Sequence, residues 1–159
     1  MYNNKQKLID IKYGTKNENR LFPVIKKFFN DDELIKTDKW CKYDYISNEN
    51  LIELKTRRNV KKKQYDTTIL NYSKYKYFKK QKQNCYFVID FDDGLYYWDI
   101  NDDDDIIINN FTRKDRGRNE TNKYIFVQNK KLTKISSKLV QSYQLFSREE
   151  IFEDCWNLY

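Results

Sequence analysis

The chain has 159 residues, which suits a single domain around one core. Charged residues make up 35% of it and the formal net charge is +7, a balance that favours a polyanionic partner. Histidine is absent, which excludes Ser-His-Asp and Cys-His catalysis, histidine-ligated zinc and histidine-based nuclease mechanisms.

Apolar residues reach only 39%, but aromatics account for 17%, so tyrosine and phenylalanine must build much of the core. Part of the lysine excess accompanies heavy Asn, Ile and Tyr usage, as in an AT-rich coding sequence. Cys41, Cys85 and Cys155 are widely spaced and form no CxxC pair. A reducing, cytoplasmic setting is therefore expected rather than a disulfide framework. No apolar run approaches the ~20 residues of a membrane span, and the first residues lack a signal-peptide core, so no membrane partner is expected.

Lys7 to Lys12 reads as a short strand or a lead-in. Leu21, Val24, Ile25 and Phe28 follow the i, i+3, i+4, i+7 spacing of an amphipathic helix. Pro23 is tolerated only in about the first turn. This helix is therefore expected to begin near Asn19 or to kink at Pro23, and to end at Asn30-Asp31-Asp32. Trp40–Ile46 and Leu51–Arg57 read as paired strands, followed by a basic loop, Asn59–Gln64. Asp66-Thr67-Thr68 offers side-chain oxygens to cap a helix, expected to run to about Lys82. Cys85–Phe91 is almost wholly apolar, as in a strand buried on both faces. Asp92-Asp93-Gly94 turns it back into Leu95–Ile100. Ile106–Ile108 follows an acidic loop, Thr112–Thr121 reads as a mobile loop, and Tyr124–Gln128 with Leu132–Ile135 reads as a last hairpin. Ser147-Arg148-Glu149-Glu150 fits a capping box that opens a final helix. The order predicts one α/β domain, bordering on α+β, with a mixed sheet flanked by helices. Its core spans about 14–100 and a β-rich and helical extension covers about 101–159.

The chemistry centres on Asp44 to Lys55. With the turn centred on Asn48-Glu49, opposed residue numbers sum to 97, so Asp44 faces Glu53 and Ile46 faces Leu51. Alternation places Asp44, Glu53 and Lys55 on one face, and Tyr43, Tyr45, Ile52 and Leu54 on the other. One side is then expected to be core and the other charged. Two carboxylates so close repel each other. A divalent cation between them removes the repulsion, and carboxylates with open water positions suit Mg²⁺ or Mn²⁺. Such an ion activates water and stabilises charge on a phosphoryl oxygen. Lys55 can orient that water or hold developing charge. An exposed hairpin with a charged outer face accounts for the same residues. The basic segment 55–82, in which Asp66 is the only acid, favours the catalytic reading.

These parts, in this order, resemble the PD-(D/E)XK nuclease superfamily, with its restriction-endonuclease-like fold. The resemblance rests on Asp44 and Glu53-Leu54-Lys55 on consecutive strands, a preceding helix, and a following helix and strand, over roughly 14–100. Gly14-Thr15-Lys16-Asn17-Glu18 looks like the superfamily's acid on the first helix. Leu54-Lys55-Thr56-Arg57 followed by Tyr65-Asp66-Thr67-Thr68 and Lys74 is similar to small phage- or virus-encoded members. Tyr43, rather than a proline, precedes Asp44. The resemblance implies an endonuclease that hydrolyses phosphodiester bonds in DNA, less often RNA, with Mg²⁺. It implies that Asp44, Glu53 and the Leu54 carbonyl bind metal and that Lys55 assists the water. Glu18 would be an extra metal or water ligand, and Lys74 a further active-site or phosphate-contacting group. Junction resolution, restriction-like cutting and host-DNA degradation all remain open, and a homodimer suits the cutting of two strands. A non-catalytic nucleic-acid-binding or host-factor-binding protein is the alternative.

Arg57, Arg58, Lys61, Lys62 and Lys63 are candidate phosphate contacts, and their binding would be salt-sensitive. A solvated loop explains the lysine triplet equally well. Tyr72, Tyr75 and Tyr77 fit a core better than a base-stacking surface. The acidic run Asp90, Asp92, Asp93, Asp99 and Asp102 to Asp105 lacks EF-hand spacing. It is expected to repel DNA, face away from it, or meet a basic patch on a second copy. Arg113 to Arg118 is a basic loop that either reaches nucleic acid or is merely solvated.

Overall fold

The computed structural model describes residues 4–113 and 120–137. In chain order its elements are α1 (Asn4–Phe29), β1 (Ile35–Lys36), β2 (Tyr45–Ile46), β3 (Asn50–Thr56), β4 (Thr67–Asn71), α2 (Tyr72–Phe78), β5 (Asn84–Phe91), β6 (Gly94–Asp99), β7 (Ile107–Arg113), β8 (Glu120–Gln128) and β9 (Thr133–Ser136). One sheet of six strands runs β1-β2-β3-β5-β6-β9, and a second of three runs β4-β8-β7. In the larger sheet β3 and β5 are parallel and the other neighbours antiparallel. The smaller sheet is antiparallel throughout. The chain is thus a mixed α/β protein: a mixed sheet, an antiparallel sheet and two helices among the described residues.

The larger sheet is covered on both faces. Leu21, Val24 and Ile25 of α1 pack with Tyr45, Ile52, Leu54, Val88 and Leu95 on one side. Leu51, Phe87, Ile89 and Trp98 face Phe78 of α2 and Ile125 and Val127 of the smaller sheet on the other. Burial on both faces explains why β5 is apolar from Cys85 to Ile89.

The first helix differs most from its sequence reading. Residues 7–12 are helical, and α1 runs continuously to Phe29 with Pro23 inside it. Leu8, Ile9 and Ile11 are exposed, so no buried stripe betrays the helix there. Pro23 removes the bond to the Asn19 carbonyl, and Leu21 and Ile25, both fully buried, hold the helix across it. The stop at Asn30 is as expected. Asn30 is left-handed (φ 50°), and the Asn30 and Asp31 N–H groups donate to Lys27 and Lys26 carbonyls at 3.2 Å each, a Schellman cap.

Residues 67–71, expected to begin a helix, form β4 instead. Thr67, Thr68 and Ile69 are β-branched and pair with β8. The helix that follows ends at Phe78 rather than near Lys82. Thr112 and Thr121, expected in a loop, pair across β7 and β8. The anticipated hairpin of β8 with β9 does not form: β8 joins the smaller sheet, and β9 crosses to pair with β6. The β5–β6 turn is as read. Gly94 adopts φ +155°, and a Cβ there would sit 2.8 Å from the Ser136 carbonyl oxygen of β9, so only glycine lets β9 dock. The capping box at Ser147 lies outside the described residues.

Candidate active site

The site begins at β3. The 97-sum register holds, with Tyr45 opposite Ile52 and Ile46 opposite Leu51. It slips at the next residue: the Asp44 N–H donates to the Ile52 carbonyl at 2.9 Å, a sum of 96, so the regular pairing stops before the expected Asp44–Glu53 pair. The regular strand is short, however: Trp40 to Asp44 form a bend, not the start of β2. The alternative of an exposed charged outer face does not hold at Glu53. With β5 alongside β3, Glu53 stands over the second core and is only 1% exposed.

A carboxylate so buried must be compensated. Glu53 Oε1 accepts from Lys55 Nζ and Lys74 Nζ, each at 2.5 Å. Glu53 Oε2 is buried and has no hydrogen-bond partner, alone in this among the side-chain oxygens and nitrogens of the described residues. Asp44 completes the pair. Its Oδ2 accepts the Leu54 N–H at 2.7 Å, a place where a continued β2 main chain would otherwise bond. Burial, and then the charge of Glu53, push the Asp44 carboxyl up to about 7, against the Leu54 N–H and the two lysines that pull it down.

These groups line one cleft of about 740 Å³. Asp44, Glu53, Leu54, Lys55, Arg57, Arg58 and Lys74 all reach it, and so does Glu18 from α1. Glu18 arrives already engaged, with its carboxylate 3.1 Å from Lys36 Nζ. Asp10, Tyr13 and Gly14 of α1 also line the cleft. The sequence does not mark Asp10 and Tyr13, because 7–12 reads as a strand or a lead-in; the four-residue spacing of Asp10, Gly14 and Glu18 is the helical signal of this face. Arg58 lies over the Tyr13 ring at 4.1 Å and 3.8 Å from Asp10, which ties the rim to α1.

Lys74 is the residue the sequence placed least firmly and the structure places most directly. Asn71, not Asp66 or Thr67, caps α2: its Oδ1 accepts the Ser73 and Lys74 N–H groups at 2.9 and 3.2 Å. The cap fixes the turn that carries Lys74 to Glu53. Asn71→Ala is expected to cost about 1 kcal/mol of stability, more than Ser73→Ala costs, read by urea unfolding. Equal losses in the two variants would show that the Asn71 cap does not hold this turn.

Lys61, Lys62 and Lys63 do not line the cleft. Lys62 packs over the Tyr96 ring at 4.7 Å and donates to the Leu132 carbonyl at 3.3 Å. The acidic run does not form one patch. Asp90 is buried and bonded to Arg20 at 3.0 Å, Asp103 takes Tyr75 and Lys79, and Asp102 takes Lys131. Tyr75 stacks on Trp98 at 6.3 Å, a core role.

The residues present fit a divalent cation. Two coupled carboxylates, one orphaned and buried oxygen, and the edge of β3 that carries the Leu54 carbonyl meet in the cleft. No group of three or more His, Cys, Asp or Glu converges among the described residues.

No protein-family model, curated protein or solved structure matches this chain. No helix among the described residues is long and apolar enough to cross a membrane.

Proposed function

We propose that this protein is a metal-dependent endonuclease that hydrolyses phosphodiester bonds in DNA, built on a restriction-endonuclease-like core. The observation that carries the reading is the buried Glu53 beside Asp44, with two lysines on one oxygen and nothing on the other. A purely structural carboxylate would have both oxygens satisfied. The element order supports it too: a helix, an antiparallel three-strand meander, then, after the β4 strand of the smaller sheet, a helix and a strand parallel to the third.

Asp44, Glu53 and the Leu54 carbonyl would hold Mg²⁺, or Mn²⁺ in its place. When bound, the ion supplies Lewis-acid polarisation of a phosphoryl oxygen and lowers the pKa of water. The chain's own groups do the rest. Lys55 Nζ, anchored on Glu53, orients the attacking water and offers a proton donor at the reacting phosphate. Lys74 shares that anchor and balances the second carboxylate. Arg57 and Arg58 extend positive charge along the rim, where flanking phosphates run.

The test is a panel of duplex, branched and single-stranded DNA, with RNA as comparison, incubated with Mg²⁺, Mn²⁺ or EDTA. Cleavage that needs metal and disappears in Lys55→Ala supports the reading. Salt-sensitive binding without cleavage would make the protein a nucleic-acid-binding module and overturn it.

A further inference from the structure

A second cavity, of about 300 Å³, shares Arg57 and Val60 with the cleft as a common wall. Ile69 and Phe91 make it largely apolar, and Tyr65 stands at it with 58% of its surface exposed. Its frame is preformed. Asn59, left-handed at φ 59°, turns the chain after Arg58. The Val60 carbonyl accepts the Asp92 N–H at 2.8 Å, and the Lys62 N–H donates to Asp93 at 2.9 Å. From the other side buried Asn129 donates to the Lys62 and Tyr65 carbonyls at 2.9 and 2.8 Å. Its own oxygen accepts from the Thr68 hydroxyl at 2.5 Å. These bonds hold the loop's backbone, while the Tyr65 side chain stays exposed, its hydroxyl accepting from Gln64 Nε2 at 3.3 Å.

An apolar slot with an exposed aromatic ring and a guanidinium in its wall suits a planar heterocycle, which gains from stacking on both. Arg57 lies two residues beyond Lys55 on the same strand direction, about 6–7 Å away. That is about the span from a phosphate to its own base. We propose that this cavity is a nucleobase subsite, which takes the base of a nucleotide whose phosphate lies in the Asp44–Glu53 cleft. The place of the phosphate rests on the nuclease reading; the affinity for a base does not.

The test uses the full chain with Mg²⁺ and titrates each of the four deoxynucleoside 5′-monophosphates against 2-deoxyribose 5-phosphate, followed by NMR. A monophosphate offers no diester to cut, so catalysis plays no part. At least one nucleotide is expected to bind about 5-fold or more tightly than the sugar phosphate. Tyr65→Ala should remove that difference and Tyr65→Phe should keep it, with sugar-phosphate binding unchanged in both. Nucleotides that bind no better than the sugar phosphate, or a preference that survives Tyr65→Ala, would overturn the subsite. Base-selective binding in a chain that cleaves nothing would instead sink the nuclease reading alone.

Discussion

Glu53→Gln is expected to lower metal-dependent cleavage by about 10²–10³-fold and to destabilise the fold by about 3 kcal/mol. Glutamine keeps the volume, so no cavity opens. What it removes is the charge that Lys55 and Lys74 share. Its amide oxygen can still accept from both lysines, but as a neutral acceptor it leaves their two charges unbalanced. Removing one partner of a buried ion pair costs about 3–5 kcal/mol; the lower end applies because the two lysines are 32% and 28% exposed. Single-turnover cleavage and urea unfolding measure the two effects separately. Cleavage within a few-fold of wild type would remove Glu53 from the chemistry. Unchanged unfolding would mean that its two ion pairs contribute nothing net.

Asp44→Asn is expected to act oppositely on stability and alike on activity. In metal-free protein the Asp44 carboxyl titrates at about 7 instead of the usual 3.8. Between those values the folded chain keeps a proton that the unfolded chain has released. The folded state therefore binds more protons, and stability falls as pH rises through this window. The cost is fully present above about pH 7 and is on the order of 4 kcal/mol. Asparagine still accepts the Leu54 N–H but carries no charge, so the variant should be more stable than wild type near pH 8 and similar near pH 4. Thermal unfolding in EDTA across that range checks this; identical pH profiles would mean that Asp44 is not held near neutrality. Cation binding needs the ionised form, so Mg²⁺ should stabilise wild type increasingly as pH rises and leave Asp44→Asn almost unmoved.

The hairpin could be read from sequence because its information is local. A short turn and a strict two-residue alternation determine which residues oppose each other, and Tyr45 and Ile46 sit where the register puts them. The depth of Glu53 could not be read, since it depends on β5, a parallel partner whose pairing leaves no mark on the hairpin. The start of α1 was hidden for the opposite reason. Its first turns touch no core, so no apolar periodicity records them. At residues 67–71 two tendencies compete in the same residues. Threonine caps helices and also favours strands, and β8 decides the outcome by supplying hydrogen bonds. Lys74 inherited that uncertainty, because its place depends on where α2 begins.

The two faces of β3 have a consequence for how such a chain can change over time. Leu51 belongs to one core and Ile52 and Leu54 to the other, with Glu53 set between them on the same seven residues. Any substitution that shifts β3 disturbs both cores at once, so packing alone fixes the backbone position from which Glu53 projects. Lys61, Lys63 and the exposed face of α1 carry no such constraint. The surface is then free to change while the backbone position of Glu53 stays fixed.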